Sequence, residues 1–329
     1  MGKQRLPQYD NCKGILILLV VIGHVLSYAN PDWDIKVYTY LHAFITGFHM
    51  QAFFLLSGML FNADKWQRRG RAAFLLQRTK TLLIPFLFFE LLGILYNHFV
   101  LGTVSIFEGL CLTMTLRCNI GADWFLPAMF VSNLLFYTSI CCLPRNKTGK
   151  AMLAVFAMLS LFSPQVLPKG LFLDTLIRGL LGFSFMVAGY LFRTLLNTHS
   201  SLKIAISMML TFVFAGLTLK YARNDFFECS VSDPLLFLFC GLTGLYCTLG
   251  IAKMIHWRPL TWLGENSIVV MGTHQIVLYT AHSSTSLLWV LKIFAVILGI
   301  EVALIWLLNR ICPVLIGKPS EKRKKHETT

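Results

Sequence analysis

Long apolar runs, separated by short polar or charged segments, dominate the amino-acid sequence. Apolar residues make up 56% of the 329 positions and charged residues only 13%, about half the charged share of an ordinary soluble domain. A run of about 20 apolar residues is what a helix needs to cross the hydrocarbon core of a bilayer. The composition therefore excludes a soluble globular protein and a disordered chain, and it predicts an all-α, polytopic membrane protein.

The apolar runs, bounded by turn and charge signals, predict ten transmembrane helices. Their approximate ranges are Gly14–Asn30, Leu41–Phe61, Thr81–Leu101, Trp124–Leu143, Ala151–Pro168, Leu171–Leu191, Ile204–Tyr221, Asp233–Ile251, Trp262–Ala281 and Leu287–Asn309. We expect one membrane domain over residues 1–311, followed by a basic cytoplasmic tail over residues 312–329.

The basic residues predict the orientation of these spans. With a cytoplasmic N terminus, 22 of the 29 lysines and arginines fall in segments on the inner side, as the positive-inside rule requires. The exceptions are Lys36, Arg117, Lys169, Lys220 and Arg223 in outer loops and Arg178 and Lys292 within spans. Both termini are therefore predicted to be cytoplasmic. Because topology accounts for the net charge of +14, no nucleic-acid partner is expected.

The nine cysteines contain no pair of C-x-x-C motifs, so a metal site is not predicted. Cys111, Cys118 and Cys229 lie outside the predicted spans, in segments that would face an oxidising compartment. One disulfide among these three is an open alternative.

Ionisable residues within the spans are candidates for function, because a charge in hydrocarbon is costly. His24, His49, Arg178 and His274 lie at similar distances from the outer ends of their spans. At about 1.5 Å per residue they fall in a layer a few Å thick, which predicts a shared cavity. For Arg178 the alternative is a local ion pair with Asp174, four residues earlier in the chain.

The first span carries an aligned series of polar residues. Lys13 and His24 are eleven residues apart, so on a helix they share one face and lie about 16 Å apart along the axis. Asp10 lies one turn before Lys13 on nearly the same face. This predicts a cation at the cytoplasmic mouth and an imidazole past mid-membrane. A buried histidine that hydrogen-bonds to a neighbouring helix is the structural alternative.

Several motifs follow one another in an order that is typical of one family of membrane enzymes. They are Tyr9-Asp10-Asn11-Cys12-Lys13-Gly14-Ile15, Val20-Val21-Ile22-Gly23-His24, Phe48-His49-Met50-Gln51-Ala52-Phe53-Phe54 with Ser57-Gly58, Arg78-Thr79-Lys80 to Ile84-Pro85-Phe86, Trp124-Phe125-Leu126-Pro127-Ala128, and Leu263-Gly264-Glu265-Asn266-Ser267-Ile268 to Thr273-His274-Gln275. On these residues the chain resembles the membrane-bound acyltransferase-3 family, especially its fucose 4-O-acetylase-like members. It differs from many members at Lys13, where arginine is common, and at Gln51, where proline is common.

The resemblance implies an O-acyltransferase that moves an acyl group, usually acetyl from acetyl-CoA, onto a hydroxyl of a cell-surface sugar or polysaccharide precursor. It also implies a bacterial inner membrane with the acceptor on the periplasmic face. The additional periplasmic hydrolase domain of some members is not found, so transfer is expected to finish within the membrane domain. Acetyl-CoA is the expected co-substrate, and no permanently bound cofactor is expected.

The candidate site residues divide into two groups. Lys13, Asp10 and Arg78 are expected to bind the acyl-CoA; the neighbouring basic residues Arg68, Arg69, Arg71 and Lys80 serve either this purpose or topology alone. His24 is the expected general base, although an acyl-enzyme on His24 or Ser57 is a second route. The expected supporting residues on the acceptor side are His49, Ser57, Trp124, Arg178 and His274. For Trp124, stacking on a sugar and anchoring at the membrane interface are equal alternatives.

Two other classes of protein are consistent with parts of the sequence. A secondary transporter or channel would also contain buried charges, and His24, Arg178 and His274 would then form a proton pathway. No internal symmetry of the kind common in carriers is visible. An interaction scaffold explains the basic tail but not the buried polar layer.

Overall fold

The computed structural model describes residues 6–170, 172–221 and 223–319. Within these ranges the chain forms a helical bundle with one short hairpin. The helices are α1 Pro7–Ala29, α2 Lys36–Thr46, α3 His49–Met59, α4 Ala63–Arg78, α5 Ile84–Tyr96, α6 Ile106–Met114, α7 Phe125–Cys142, α8 Lys147–Leu161, α9 Ser163–Val166, α10 Phe172–Leu191, α11 Arg193–Asn197, α12 Ser201–Tyr221, α13 Pro234–Met254, α14 Arg258–Glu265, α15 Ser267–Tyr279 and α16 Leu287–Ile311. Strand β1 (Asn224–Asp225) pairs antiparallel with β2 (Ser230–Val231).

Seven helical segments among the described residues are long and apolar enough to cross a membrane. They are Pro7–Ala29, Ala63–Leu101, Gly121–Cys142, Phe172–Leu191, Ser201–Tyr221, Pro234–Met254 and Leu287–Ile311. The second of them joins α4 to α5 through a π-helical turn at Thr79–Leu83. The predicted all-α, polytopic membrane architecture is confirmed.

The other three predicted spans are short or broken helices. The second span consists of α2 and α3, which are separated at Gly47 and Phe48. The fifth is α8, with 15 residues, and the ninth consists of α14 and α15, which meet at Asn266. The count of ten crossings and the cytoplasmic location of both termini therefore stay predictions.

Side chains satisfy the backbone at both breaks. Phe48 leaves helical geometry with φ −141°, and the side-chain amide of Gln51 donates to the Gly47 carbonyl at 2.8 Å. Asn266 donates in the same way to the Trp262 carbonyl at 2.7 Å. Irregular backbone at membrane depth is stable only where protein or a polar cavity surrounds it. The two breaks therefore mark places inside the bundle where a polar site can be built.

Helix α1 is central to this part of the bundle. It packs against α2, α3, α13, α14, α15 and α16. Its approach to α14 is closest at Gly264, where a Cβ would lie 1.8 Å from the backbone oxygen of Asp10. Only glycine fits there, because a methyl group would force the two helices apart. This contact fixes the start of α1 against the break between α14 and α15.

The start of α1 and the end of α16 lie at the same end of the bundle, called here the basic end. Lys13, Lys65, Arg145 and Arg193 lie there together around two cavities. Since these residues come from four separate segments, the folded chain gathers the charges that the sequence distributes over several loops.

The chain past α16 turns back onto the bundle at the basic end. Ile316 is 3% exposed, and Nζ of Lys318 donates to Oδ1 of Asn309 at 2.7 Å and to Oδ1 of Asn266. Of the predicted basic tail over residues 312–329, residues 312–319 thus lie against the membrane domain. Residues 320–329 lie outside the described residues.

All nine cysteines fall within the described residues, and all are free thiols. The disulfide left open among Cys111, Cys118 and Cys229 is therefore not formed.

Candidate active site

Three of the predicted site histidines lie together in the interior. The ring of His24, on α1, lies 5.1 Å from the ring of His274, on α15, measured between centroids. His49, at the start of α3, is close enough to His24 for charges on the two rings to interact. Both His49 and His274 are buried. The shared interior site that the depth pattern predicted thus contains three of its four residues.

Gln275 determines which nitrogen of His24 carries the proton. Its Oε1 accepts a hydrogen bond from the backbone N–H of Ala122 at 2.7 Å. The amide nitrogen must then face His24, and it lies nearer to Nδ1, at 3.0 Å, than to Nε2, at 3.5 Å. A nitrogen that faces an N–H donor is an acceptor, so Nδ1 of His24 holds the lone pair and Nε2 carries the proton.

His49 and His274 adopt the opposite tautomer. Nδ1 of His49 lies 2.8 Å from the carbonyl oxygen of Ile45, and Nδ1 of His274 lies 2.6 Å from that of Val270. A carbonyl only accepts, so each Nδ1 carries the proton and each Nε2 holds a lone pair. Nε2 of His274 is buried and has no hydrogen-bond partner among the described residues. The site therefore contains an unused base next to His24.

A cavity of about 550 Å³ leads from the basic end toward these histidines. At its mouth it is lined by Lys13, Lys65, Arg78 and Lys318, and farther inside by Phe53, Phe125 and Met271. Phe53 lies one helical turn past His49, and Met271 lies one turn before His274. This smaller cavity therefore approaches the histidine cluster from the basic end.

Lys13 lies at the junction of the smaller cavity with a larger one of about 1220 Å³. Its Nζ forms an ion pair with Oδ1 of Asp10 at 3.1 Å. α1 is continuous from Pro7 to Ala29, so the predicted line of Asp10, Lys13 and His24 exists. The paired carboxylate of Asp10 points Lys13 toward the cavities and is not placed to bind an anion itself.

Arg78 lies in the wall of the smaller cavity with an unsatisfied donor. Its guanidinium lies over the rings of Trp66 and Phe74, at 5.8 and 5.2 Å from their centroids. Its Nε is buried without a hydrogen-bond partner among the described residues. A buried guanidinium N–H with no acceptor favours an anionic ligand. The neighbours Arg68, Arg69 and Arg71 are exposed and line neither cavity.

Two further residues complete the polar lining of the smaller cavity. Ser57 lies in its wall, at the distance from His49 that two turns of α3 impose. Asn133 donates to the Met129 carbonyl at 2.8 Å, while its Oδ1 is buried without a partner among the described residues. The smaller cavity therefore presents one unsatisfied donor, in Arg78, and one unsatisfied acceptor, in Asn133.

Four basic residues line the larger cavity, and two of them are paired with carboxylates. Arg145 forms an ion pair with Asp64 at 2.9 Å, and Lys13 is paired with Asp10.

Arg178 and Trp124 pack against each other and against Phe227, in the hairpin turn. Nε of Arg178 donates to the Phe227 carbonyl at 2.9 Å, and its guanidinium lies over the rings of Trp124 and Phe227. The alternative of a local ion pair with Asp174 is not what the structure shows: that carboxylate accepts from the Gly170 N–H at 2.8 Å, and Arg178 donates to the Phe227 carbonyl instead. Trp124 is 5% exposed, so its ring is a packing partner of Arg178 and the hairpin.

Sequence reasoning assigned no role to several residues of this region. Gln275 was noted only as part of a motif, although it is the direct partner of His24. Asp123 is completely buried, and neither carboxylate oxygen has a hydrogen-bond partner among the described residues. It lies beside Ala122, which holds Gln275. No period or spacing in the sequence links residues 122–123 to His24.

The comparison with protein families agrees with this geometry. A family model described as an acyltransferase domain, of the acyltransferase-3 family, matches residues 6–310. No curated protein and no solved structure matches the chain. Since the matched region includes every candidate residue from Asp10 to His274 and covers nearly the whole chain, the protein belongs to the acyltransferase-3 family and is a membrane acyltransferase.

Proposed function

We propose that this protein is an O-acyltransferase that moves an acyl group, acetyl in the simplest case, from cytoplasmic acyl-CoA to a hydroxyl of a cell-surface sugar or polysaccharide precursor. The observation that carries the proposal is the smaller cavity, which extends from a group of cations at the basic end to residues one helical turn from His49 and His274. A donor with an anionic head and a long thioester arm matches that shape and charge.

The donor's phosphates bind at the mouth of the cavity. Lys13 and Lys65 supply positive charge there, and Nε of Arg78 finds in a phosphate oxygen the acceptor it lacks. The pantetheine arm extends inward, where one of its amide N–H groups donates to Oδ1 of Asn133. Since Lys13 and His24 lie about 16 Å apart along α1, an extended arm brings the thioester to the histidines.

Nδ1 of His24 acts as the general base. The acceptor hydroxyl replaces the Gln275 amide as the donor to Nδ1 and gives up its proton there as its oxygen attacks the thioester carbonyl. The new C–O bond forms, the C–S bond breaks, and the departing thiolate takes up the proton. His49 and His274 lie beside the reacting centre. Because their rings are neutral, they add no positive charge next to His24 as it accepts the proton.

The alternative acyl-enzyme route has different kinetics. An acyl group on His24 or Ser57 would release one equivalent of CoA before any acceptor is added. We propose direct transfer, because this route requires of His24 only that its Nδ1 accept a proton. A burst of free thiol from the protein without acceptor would instead favour the two-step route.

The basic end is proposed to face the cytoplasm of a bacterial inner membrane, with the acceptor arriving from the opposite face. The distribution of lysine and arginine over the loops supports this orientation. Acyl-CoA is a cytoplasmic metabolite, and the smaller cavity opens at the basic end.

The first experiment measures acetyl-CoA binding to the purified protein in nanodiscs. Wild type, Lys13→Ala and Lys253→Gln are compared; Lys253 is exposed and lines neither cavity. We expect saturable binding that Lys13→Ala weakens and Lys253→Gln leaves unchanged. His24→Ala should bind the donor normally and lose transfer. A folded wild-type protein that does not bind acetyl-CoA would contradict the proposal.

A secondary transporter is the second candidate, and the broken helices favour it. α2 and α3 separate next to His49, and α14 and α15 separate at Asn266, eight residues before His274. Interrupted helices at polar midplane sites are a feature of carriers. Proton flux into proteoliposomes, with no turnover of acyl-CoA, would place this function ahead of the acyltransferase.

A further inference from the structure

The larger cavity at the basic end has a volume of about 1220 Å³, more than twice that of the smaller cavity. Pockets of about 300–1,000 Å³ enclose drug-sized ligands, so the larger cavity has room for a nucleoside. Lys13 and Asn62 line both cavities. A single ligand can therefore extend from one cavity into the other past Lys13.

Two basic side chains of the larger cavity, Lys150 and Arg193, have no carboxylate partner among the described residues. The other two, Lys13 and Arg145, are paired with carboxylates that line the same cavity. The lining thus contains two more basic than acidic residues. A phosphate monoester has a charge of about −1.5 to −2 at pH 7, so one such group would balance the two unpaired cations.

Aromatic packing orients Arg193 at the start of α11. Its guanidinium lies over the ring of Tyr190, 5.5 Å from the centroid, and Tyr190 packs edge-on against Phe136. Stacking occupies the face of a guanidinium and leaves the N–H groups at its edge available to an acceptor. At the other end of α11, Oδ1 of Asn197 accepts from the Tyr9 hydroxyl at 3.1 Å, which ties this wall of the cavity to α1.

A tight turn positions Lys150 in the first turn of α8. Oδ1 of Asn146 accepts from the Gly149 N–H at 3.0 Å. A Cβ at Gly149 would overlap the carbonyl oxygen of Pro144, so only glycine lets the start of α8 close on the turn before it. Pro144, Gly149 and Lys150 all line the larger cavity. The backbone that carries Lys150 is therefore fixed beside the cavity.

We propose that the larger cavity is the nucleotide subsite of the donor site, in which the adenosine of acyl-CoA lies and its 3′-phosphate contacts Lys150 and Arg193. This inference rests on the proposed acyltransferase function and locates the half of the donor that the smaller cavity does not hold. The pyrophosphate then lies near Lys13, between the two cavities, and the pantetheine arm enters the smaller one. The phosphate of an anionic lipid headgroup is the other source of the same chemistry, so the test uses nanodiscs of neutral lipid.

The test compares binding of acetyl-CoA with binding of acetyl-3′-dephospho-CoA, which lacks only the 3′-phosphate. Wild type should prefer acetyl-CoA about 10-fold, the equivalent of one charge-assisted hydrogen bond. The double variant Lys150→Gln, Arg193→Gln should bind the two ligands with nearly equal affinity, because it lacks the cations that distinguish them. Its affinity for acetyl-CoA should also depend less on salt.

The matched control is the double variant Lys253→Gln, Arg258→Gln. It removes the same charge at exposed positions that line neither cavity, so it should keep the wild-type preference for acetyl-CoA. Equal affinity of the wild type for the two ligands would overturn the inference and leave a lipid headgroup as the anion at Lys150 and Arg193. An undiminished preference in the Lys150, Arg193 variant would overturn it as well.

A labelling experiment covers the case in which the Lys150, Arg193 variant fails to fold. Wild-type protein is treated with an amine-reactive reagent, and labelling at Lys150 and Lys253 is measured by mass spectrometry. Saturating CoA should protect Lys150 several-fold more than saturating 3′-dephospho-CoA does, and neither ligand should protect Lys253. Equal protection of Lys150 by the two ligands, or none by CoA, would overturn its contact with the 3′-phosphate.

The two proposals fail in distinguishable ways. A wild-type protein that binds acetyl-CoA but does not distinguish it from the dephospho form would overturn this inference and leave the acyltransferase function intact. A wild-type protein that binds no acetyl-CoA would overturn both.

Discussion

The side-chain amide of Gln275 donates to Nδ1 of His24 at 3.0 Å, while the same amide accepts from the backbone of Ala122. This pair of hydrogen bonds couples α15, α1 and the chain before α7. It leaves the lone pair of His24 on Nδ1 and thereby identifies the atom at which a proton can be accepted.

Replacing Gln275 with leucine should reduce turnover. The change removes the donor to Nδ1 and leaves the Ala122 N–H without its acceptor, so His24 loses its fixed tautomer and position. We expect kcat to fall about 10-fold to 100-fold, with little change in the KM for acyl-CoA, since misorienting a general base costs part of its contribution. Steady-state kinetics measure both constants.

Gln67→Leu is the matched control for this change. Gln67 donates to the Ile140 carbonyl far from the histidines, so its loss should leave kcat unchanged. Equal kinetics for Gln275→Leu and wild type would mean that Gln275 does not position His24.

Arg78→Lys should weaken binding of the acyl donor and leave the rate of the chemical step unchanged. Lysine keeps the charge but lacks the planar guanidinium that lies on Trp66 and Phe74 and the buried Nε donor. We expect the KM for acyl-CoA to rise about 10-fold, in line with one charge-assisted hydrogen bond, at unchanged kcat. Arg71→Lys, at an exposed position outside both cavities, should have no effect. A fall in kcat alone would argue against phosphate binding by Arg78.

Gly264→Ala should destabilise the protein. The new Cβ would lie 1.8 Å from the backbone oxygen of Asp10, so α1 and α14 must separate, at a cost of about 1–3 kcal/mol. Gly299→Ala is the control, because a Cβ at Gly299 meets nothing within 4 Å and alanine favours the helix by about 1 kcal/mol. Thermal unfolding in detergent should show a lower Tm for the first variant and an equal or higher Tm for the second. The opposite order would exclude close packing at Gly264.

The start of α6 should depend on pH. Ser105 and Glu108 form a capping box in which Glu108 Oε2 accepts from the Ser105 N–H at 2.9 Å. Hydrogen bonds from the backbone and side chain of Ser105 lower the pKa of Glu108. A carboxyl with a lowered pKa stabilises the fold above its unfolded pKa, and this stabilisation is lost as pH falls through the folded pKa.

Amide hydrogen exchange tests this dependence. Corrected for the intrinsic rate, exchange in the first turn of α6 should accelerate as pH falls below the ordinary pKa of glutamate, about 4.3. Glu108→Gln should abolish the pH dependence, because glutamine does not titrate. A wild-type profile that matches that of the variant would show that the capping box does not respond to pH.

The sequence predicts well what local periodicity controls. The line of Asp10, Lys13 and His24 follows from the repeat of a single helix, and α1 contains it. Hydropathy also locates the apolar segments. It does not reveal the breaks at Phe48 and Asn266, because side chains elsewhere in the bundle satisfy the exposed backbone there.

Contacts between distant segments are what the sequence leaves out. Arg178 shows why: the nearest carboxylate in sequence, Asp174, caps a turn, and the guanidinium binds the Phe227 carbonyl 49 residues away. Lys318 reaches the smaller cavity only because the chain reverses after α16. Such pairings depend on how helices are arranged in space and leave no spacing signal.

The unbroken course of α1 has a consequence for the choice of donor. Eleven residues of continuous helix, without a hinge, separate Lys13 at the mouth of the cavity from His24. The distance between the two residues is therefore as rigid as the helix itself. If the arm of a donor is shorter than about 16 Å, its thioester does not reach the imidazole of His24. One residue inserted between Lys13 and His24 would turn the ring by about 100° away from Gln275. On the proposed function, the length of this helix segment selects donors by the reach of their arm.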